Sequence, residues 1–342
     1  MVHEAPPGPV SPSGRIDSID ALRGVALLGV LAINLVTEFR VSIFEQFLSM
    51  ARPVSAADRA VETFLMLFVN MKAFALFSLL FGIGLAIQFE RLSENPRRAL
   101  LLLRRLIVLL LFGLIHLGLI WNGDILTEYA LAGLIVLPLL FGPRWLLGAG
   151  AAVFLGVYLA MQFWPPAGLF PTFTSMQLAV QEANRIYPTG SFADVLALRL
   201  REIPLIAPLH VFVFPRTIAL FLFGAFVWRC GILRKPHQPL LFSTAIVCIS
   251  VGTSLVLAGS NPTAAAAGGR LATAIGTIAL AVGYGALIIA TANRKPAARQ
   301  RNCWMVCTAG PHGVHELPRP IIDLRLDLLR IRARSVWLAR RG

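Results

Sequence analysis

Apolar residues run through this chain in long blocks separated by short polar clusters, and the blocks are of membrane length. A helix crossing the hydrocarbon core of a bilayer needs roughly 20 apolar residues. Eight blocks meet or approach that length: 20–38, 72–89, 104–121, 124–141, 145–163, 208–228, 239–258 and 271–292. The pattern predicts an all-α fold, a polytopic transmembrane helix bundle of about eight spans. Two intervening segments carry patterns of their own. Residues 55–70 (SAADRAVETFLMLFVN) place apolar side chains at helical spacing, as a helix lying along the interface would. Residues 164–207 form the longest stretch outside the spans and are too short for an independent domain.

The basic residues sort between the connections. Arg15 and Arg23 stand at the start of the first block, and Arg91, Arg97, Arg98, Arg104 and Arg105 lie around the second connection. Arg144 follows two blocks later, then Arg229, Arg234 and Lys235, then Arg294, Lys295, Arg299 and Arg301. Cytoplasmic loops carry an excess of Lys and Arg, so these alternate connections are expected on the cytoplasmic side, together with the N-terminus. Residues 1–18 are rich in Pro, Ser and Gly and hold no apolar run, so the first span is expected to act as its own signal anchor. The chain then divides into a disordered cytoplasmic N-terminus (1–18), a transmembrane domain (19–292) and a basic cytoplasmic tail (293–342).

Composition agrees with lipid as the solvent. Of 342 residues, 57% are hydrophobic and 14% charged, and the mean hydropathy is +0.73; a soluble domain carries about 25% charged residues. Membrane lipids are therefore the expected partners. The net charge of +14 could suggest nucleic acid, but most basic residues flank spans, and no nucleic-acid partner is expected. The tail alone holds eleven Lys/Arg against three Asp/Glu. The four cysteines form no CxxC pair, which argues against a disulfide framework or a zinc site.

The stretch 104–141 carries the most chemistry. It reads as a helical hairpin, RRLIVLLLFGLIHLGLIWNGDILTEYALAGLIVLPLLF, with His116 and Asp124 near its turn. Ionisable groups inside a span are costly and point to a functional site. A histidine beside a carboxylate is a workable general base, the acid fixing the tautomer. His116 and Asp124 are the candidate catalytic pair. Glu128 lies one helical turn beyond Asp124 on the same face, with Tyr129 adjoining. The same polar residues could instead bond neighbouring helices and pin the hairpin, because buried polar groups in lipid need partners whatever the function. Asp20 and Arg23 share a face of the first span and can pair; Arg23 either grips a phosphate or anchors the helix. Arg216, eight residues into the sixth span behind Pro215, stands near the interface or lines a polar cavity. Asp20, Arg23, Asn34, Glu128 and Arg216 are the candidate substrate-binding residues. Lys72, His210 and Arg270 read as interfacial residues, and Gly82 and Gly84 as points of close helix contact. The two histidines of HGVH (312–315) have no acidic or Cys partner, so no metal site is expected.

IDALRGVALLGVLAIN (19–34), LFSLLFGIGLAIQFER (76–91) and HLGLIWNGDILTEYALAGL (116–134), with a weaker likeness in LFLFGAFVWRCGIL (220–233), resemble the YeiB-like family of bacterial multispan membrane proteins of undefined activity. The resemblance implies residence in the bacterial cytoplasmic (inner) membrane. That family is distantly similar to membrane acyltransferases, including bacterial O-acyltransferases and heparan-glucosaminide acetyltransferases, through an Asp-x-x-Arg-Gly start to the first span, here Asp20 to Gly24. It implies acyltransferase-like modification of an envelope lipid or glycan, with acyl-CoA as donor; a transporter for a small metabolite and a non-catalytic scaffold are the other readings. Where the O-acyltransferase pattern places a histidine eleven residues after the Arg, this chain has Asn34, which cannot act as a base at neutral pH.

The tail departs from the family. The resemblance implies a continuation of the GRMALTNYLxQS type after the last block. Read one base later, the codons of residues 310–323 can spell GRMAFTNYLAQSLI. Residues beyond about 293 are therefore expected to be out-of-frame sequence in place of further spans.

Overall fold

The computed structural model describes residues 17–38, 42–48, 55–164, 170–234, 237–261 and 266–292. The N-terminal segment before residue 17 and the tail from residue 293, on which the disorder and reading-frame expectations fall, lie outside the described residues. All regular structure among the described residues is helical. The helices are α1 (Asp17–Glu38), α2 (Ala56–Phe64), α3 (Lys72–Arg91), α4 (Arg98–Ile115), α5 (Leu126–Leu139), α6 (Arg144–Phe163), α7 (Phe173–Thr189), α8 (Phe192–Arg229), α9 (Gln238–Gly259) and α10 (Ala266–Ala292).

Seven of these units are long and apolar enough to cross a membrane: Ser18–Leu35, Ala56–Arg91, Arg98–Ile120, Arg144–Phe163, Phe192–Arg229, Gln238–Gly259 and Ala267–Ala292. The fold is an all-α polytopic bundle, and the protein is a multi-pass membrane protein. The fourth expected span is the short helix α5, whose 14 residues measure about 21 Å. Large apolar side chains such as Leu111, Phe112 and Ile115 on α4 and Ile246, Val247 and Val251 on α9 are exposed, as helix faces in contact with lipid require.

Two segments differ from the sequence expectation. Residues 55–70 are not a separate interfacial helix: α2 passes through a π-helical turn (Leu65–Val69) and joins α3 after Asn70 and Met71. The stretch 164–207 is also largely helical. It contains α7, and the first sixteen residues of α8 run on into the expected span without a break. A capping box starts α8, Ser191 accepting from the Asp194 backbone N–H while the Asp194 carboxylate accepts from Ser191; this satisfies the free N–H groups of the first turn.

Helix α8 is the centre of the bundle and packs against α3, α5, α6 and α7, while α4 pairs with α5 and α9 with α10. The closest approach is between α3 and α8. An added Cβ on Gly82 would fall 2.0 Å from the Phe221 carbonyl oxygen, and one on Gly224 would fall 2.3 Å from that of Leu79. Around this crossing Phe81 stacks on Phe221 at 4.8 Å, and Tyr129 meets Phe221 edge-on at 5.2 Å.

The two ends of the bundle differ in chemistry. At one end Arg229 donates to the carbonyls of Leu140 and Gly142 at 3.0 and 2.8 Å, closing the free carbonyls past α5. There too Glu90 accepts from Trp228 and Arg234, and Arg98 lies over the rings of Phe89 and Phe141. This basic end collects the arginines flanking α3, α4, α5 and α8. At the opposite end, Arg270 at the start of α10 donates to the Gln162 carbonyl that ends α6, and the 3-10 turn Ile43–Phe47 packs on α7 and α8 through Phe44, Val180 and Ile206.

Candidate functional site

The site forms where α4 turns into α5 at the end opposite the basic one. Helix α4 ends in a π-helical turn (His116–Ile120) closed by the Trp121 N–H donating to the His116 carbonyl at 2.8 Å. The chain then reverses through Asn122, Gly123 and Asp124. Asp124 caps α5: one carboxylate oxygen accepts from the Leu126 N–H at 3.1 Å and the other from the Thr127 N–H at 2.7 Å. Its side chain is fully buried, and Oδ1 lies 3.0 Å from His116 Nδ1. That is ion-pair distance, although the imidazole nitrogen is not aligned for a full hydrogen bond. Asp124 is held in place by two backbone donors.

In the first turn of α5, Glu128 is buried and faces α8. Its Oε2 lies 3.1 Å from His210 Nδ1, and its Oε1 accepts from the Thr217 hydroxyl. His210 thus belongs to a second histidine–carboxylate pair. The next residue, Tyr129, shares a 2.8 Å hydrogen bond with Ser78 and donates to the Phe74 carbonyl at 2.9 Å. Asp124 and Glu128 do not share a helix face as expected: Asp124 lies in the turn ahead of α5 and Glu128 in its first turn, and each meets a histidine from a different neighbour.

The break between α2 and α3 closes the other side. The Asn70 N–H donates to the Leu65 carbonyl at 2.7 Å to complete the π turn, and Met71 follows at φ +62°. A non-glycine residue in this region is strained by about 1–2 kcal/mol. Lys72, expected to reach an interface, is instead 3% exposed and donates from Nζ to the Met66 carbonyl at 2.7 Å. Arg216 of α8 is also buried; it donates to Met71 Sδ at 3.6 Å and lies 5.8 Å from the Tyr158 ring centroid. Strain of this kind gathers at functional sites, and π turns often do the same. Substituting Met71 tests the strain. Met71→Ile, β-branched at a positive φ, is expected to lower stability by about 1–2 kcal/mol, whereas Met71→Asn stays near wild type; thermal unfolding in detergent distinguishes them.

A second layer supports the turn. Asn122 donates to Glu202 Oε2 at 2.9 Å and to the Arg199 carbonyl at 3.3 Å, and Ser42 donates to Glu202 Oε1 at 3.3 Å. Arg199 donates to the Leu119 carbonyl at 2.8 Å. The polar start of α8 thereby holds the π turn that carries His116.

Asp20 and Arg23 are placed elsewhere. They pair at 3.6 Å, both half exposed, at the basic end, where the Arg23 guanidinium lies beside Gly84. Asn34 is partly buried in the last turns of α1, beyond Gly29, which faces Ala73 and Val69. Among the described residues no group of three or more His, Cys, Asp or Glu side chains gathers as metal ligands would.

Comparison with known proteins finds partial relatives. Over 207 residues the chain is 34% identical to the uncharacterized protein YxaH of Bacillus subtilis, covering 57% of this chain and 50% of YxaH. It is 36% identical over 132 residues to an uncharacterized 39.9 kDa protein in the amylase 3' region of Bacillus acidopullulyticus, covering 38% and 35% of the two chains. It is 37% identical over 124 residues to the uncharacterized protein YeiB of Escherichia coli, covering 34% and 29%. The chain spans half or less of the length of each of these relatives. No family model matches it, and no solved structure does. The similarities are consistent with a YeiB-like family whose members here are uncharacterized.

Proposed function

We propose that this chain acts as a membrane-embedded acyltransferase, moving an acyl group from a thioester such as acyl-CoA to a hydroxyl of an envelope lipid or glycan. The observation that carries the reading is the pair of buried carboxylates at the start of α5, one capping the helix and one in its first turn, each facing an imidazole: Asp124 with His116, and Glu128 with His210. Asp124 is anchored by two backbone N–H groups, so it can orient His116 and stabilise the imidazolium while the other ring nitrogen takes a proton. The acceptor hydroxyl then attacks the thioester carbonyl carbon as His116 removes its proton. The tetrahedral intermediate collapses, the C–S bond breaks, and the thiolate leaves with that proton, giving an ester and a free thiol. Glu128, His210 and Thr217 form the second acid–base group beside it.

In this proposal the chain lies in the bacterial cytoplasmic membrane with its N-terminus inside, following the distribution of basic residues. Arg23, oriented by Asp20, receives the phosphate end of the donor at the basic end. His116 lies eleven residues along α4 from Arg105, about 16 Å, so the donor must be long and must enter the bundle by its thioester. Asn34 lies toward the acceptor side.

The test is reconstitution of the full chain in proteoliposomes with acyl-labelled acyl-CoA. The expected result is ester-linked label in the lipid or glycan fraction, with one free thiol released per ester formed. Uptake of a solute with no covalent label would favour permeation instead, a reading supported by the helix break at Met71 and by Pro204, Pro208 and Pro215 within α8.

A further inference from the structure

Arg216 presents a problem that the acyl-transfer proposal does not use. It is 4% exposed, and its Nε is buried with no hydrogen-bond partner. Among the described residues no carboxylate lies within ion-pair distance of it. The acidic residue beside its own neighbour Thr217 is Glu128, which spends its two oxygens on Thr217 and His210. What Arg216 does touch is soft and neutral: the Met71 sulfur on one terminal nitrogen and the Tyr158 ring near its face. A guanidinium cannot shed its charge, and an uncompensated buried charge is strongly unfavourable.

A second cation stands next to the first contact. Lys72 follows Met71 directly and is as deeply buried, with the Met66 carbonyl taking one of its three N–H donors. Helix α3 begins at Lys72, so its positive dipole end adds to the same region. Met71 links the two, its sulfur taking the Arg216 contact and its strained backbone leading directly into Lys72.

We propose that Arg216 and Lys72 form an intramembrane binding site for a phosphate group. The Nε edge of a guanidinium presents a planar two-donor fork that matches two oxygens of a phosphate, and an ammonium with two N–H donors to spare suits a phosphate better than a single carboxylate. The group is carried either by a lipid headgroup or by a soluble phosphate. The site stands whether or not the chain transfers acyl groups, because it rests on α3 and α8 and not on His116.

The test is thermal unfolding of the full chain in dodecyl maltoside, a neutral detergent, titrated in one arm with inorganic phosphate and in the other with phosphatidylglycerol. Wild type is expected to gain about 4 °C in one arm at a hundredfold excess over Kd. A gain with inorganic phosphate assigns a soluble ligand, and a gain with phosphatidylglycerol alone assigns a headgroup. Arg216→Gln is expected to lose the gain, Arg216→Lys to keep part of it, and Lys72→Met to need a severalfold higher concentration of the same probe. Without probe, Arg216→Gln is expected to unfold no lower than wild type, since it removes an uncompensated charge. The proposal is overturned if neither probe stabilises wild type or if the gain survives in Arg216→Gln. It is equally overturned if Arg216→Gln without probe fails to fold or unfolds well below wild type, which would make Arg216 a structural group.

Discussion

Replacing Gly82 with alanine is expected to destabilise this protein by about 3 kcal/mol or more, and to leave little monodisperse material after detergent extraction. The added methyl would sit 2.0 Å from the Phe221 carbonyl oxygen, well inside contact distance and against backbone that no side-chain rotation can clear. Forcing extra carbon into a close-packed interior typically costs about 1–3 kcal/mol, and occasionally more; here two helices must part to admit it. Gly224→Ala, 2.3 Å from the Leu79 carbonyl, is expected to behave alike. Gly156→Ala on α6, where a Cβ meets nothing within 4 Å, is the control and is expected to hold or slightly raise stability through helix propensity. The damage would reach the site. Gly82 is one turn from Ser78, which bonds Tyr129, and Phe221 is one turn from Thr217, which bonds Glu128, so the α3–α8 crossing sets the register of both contacts.

His116→Ala is expected to lower acyl transfer by 10²- to 10⁴-fold, the usual contribution of a general base, with a small change in thermal stability. Asp124 separates chemistry from structure more sharply. Its carboxylate both caps α5 and faces His116. Asparagine caps a helix about as well as aspartate but brings no charge to an imidazolium. Asp124→Asn is therefore expected to keep the unfolding temperature within a few degrees while transfer falls by 10²-fold or more. Asp124→Ala loses the cap as well, and is expected to cost a further 0.5–2 kcal/mol of stability. Unfolding curves and initial rates on the same preparations separate the two effects.

The spans were readable because lipid leaves the sequence little freedom: a crossing helix must be apolar over its whole length, and short blocks of arginine punctuate the connections. The hairpin at 116–128 was readable for the same reason, since polar residues in so apolar a stretch stand out. What sequence reading lost was helix carried on by polar residues. Arg199, Arg201 and Glu202 look like a loop, yet they continue α8 by four turns because Ser191 and Asp194 start the helix there and the polar groups find Leu119, Glu182 and Asn122 on neighbouring elements. The Ser-x-x-Asp capping signal was present at 191–194.

Lys72 was misread because its partner, the Met66 carbonyl, is offered by a π turn that composition does not announce. The Glu128–His210 pair joins residues 82 positions apart, and nothing in local spacing links them. Helical periodicity predicts a shared helix face for Asp124 and Glu128, and misses that Asp124 sits in the turn before α5. It could not say that the two carboxylates would turn to different histidines, because that depends on how α4 and α8 pack on either side of α5.

The most direct measurement is single-turnover transfer of label from acyl-CoA to the membrane fraction, compared in proteoliposomes of wild type and Asp124→Asn whose unfolding temperatures match. An ester product from wild type, formed at least 10²-fold more slowly by the variant, is the outcome that the His116–Asp124 account requires. Equal rates from the two proteins, or no ester from folded wild type, would contradict it.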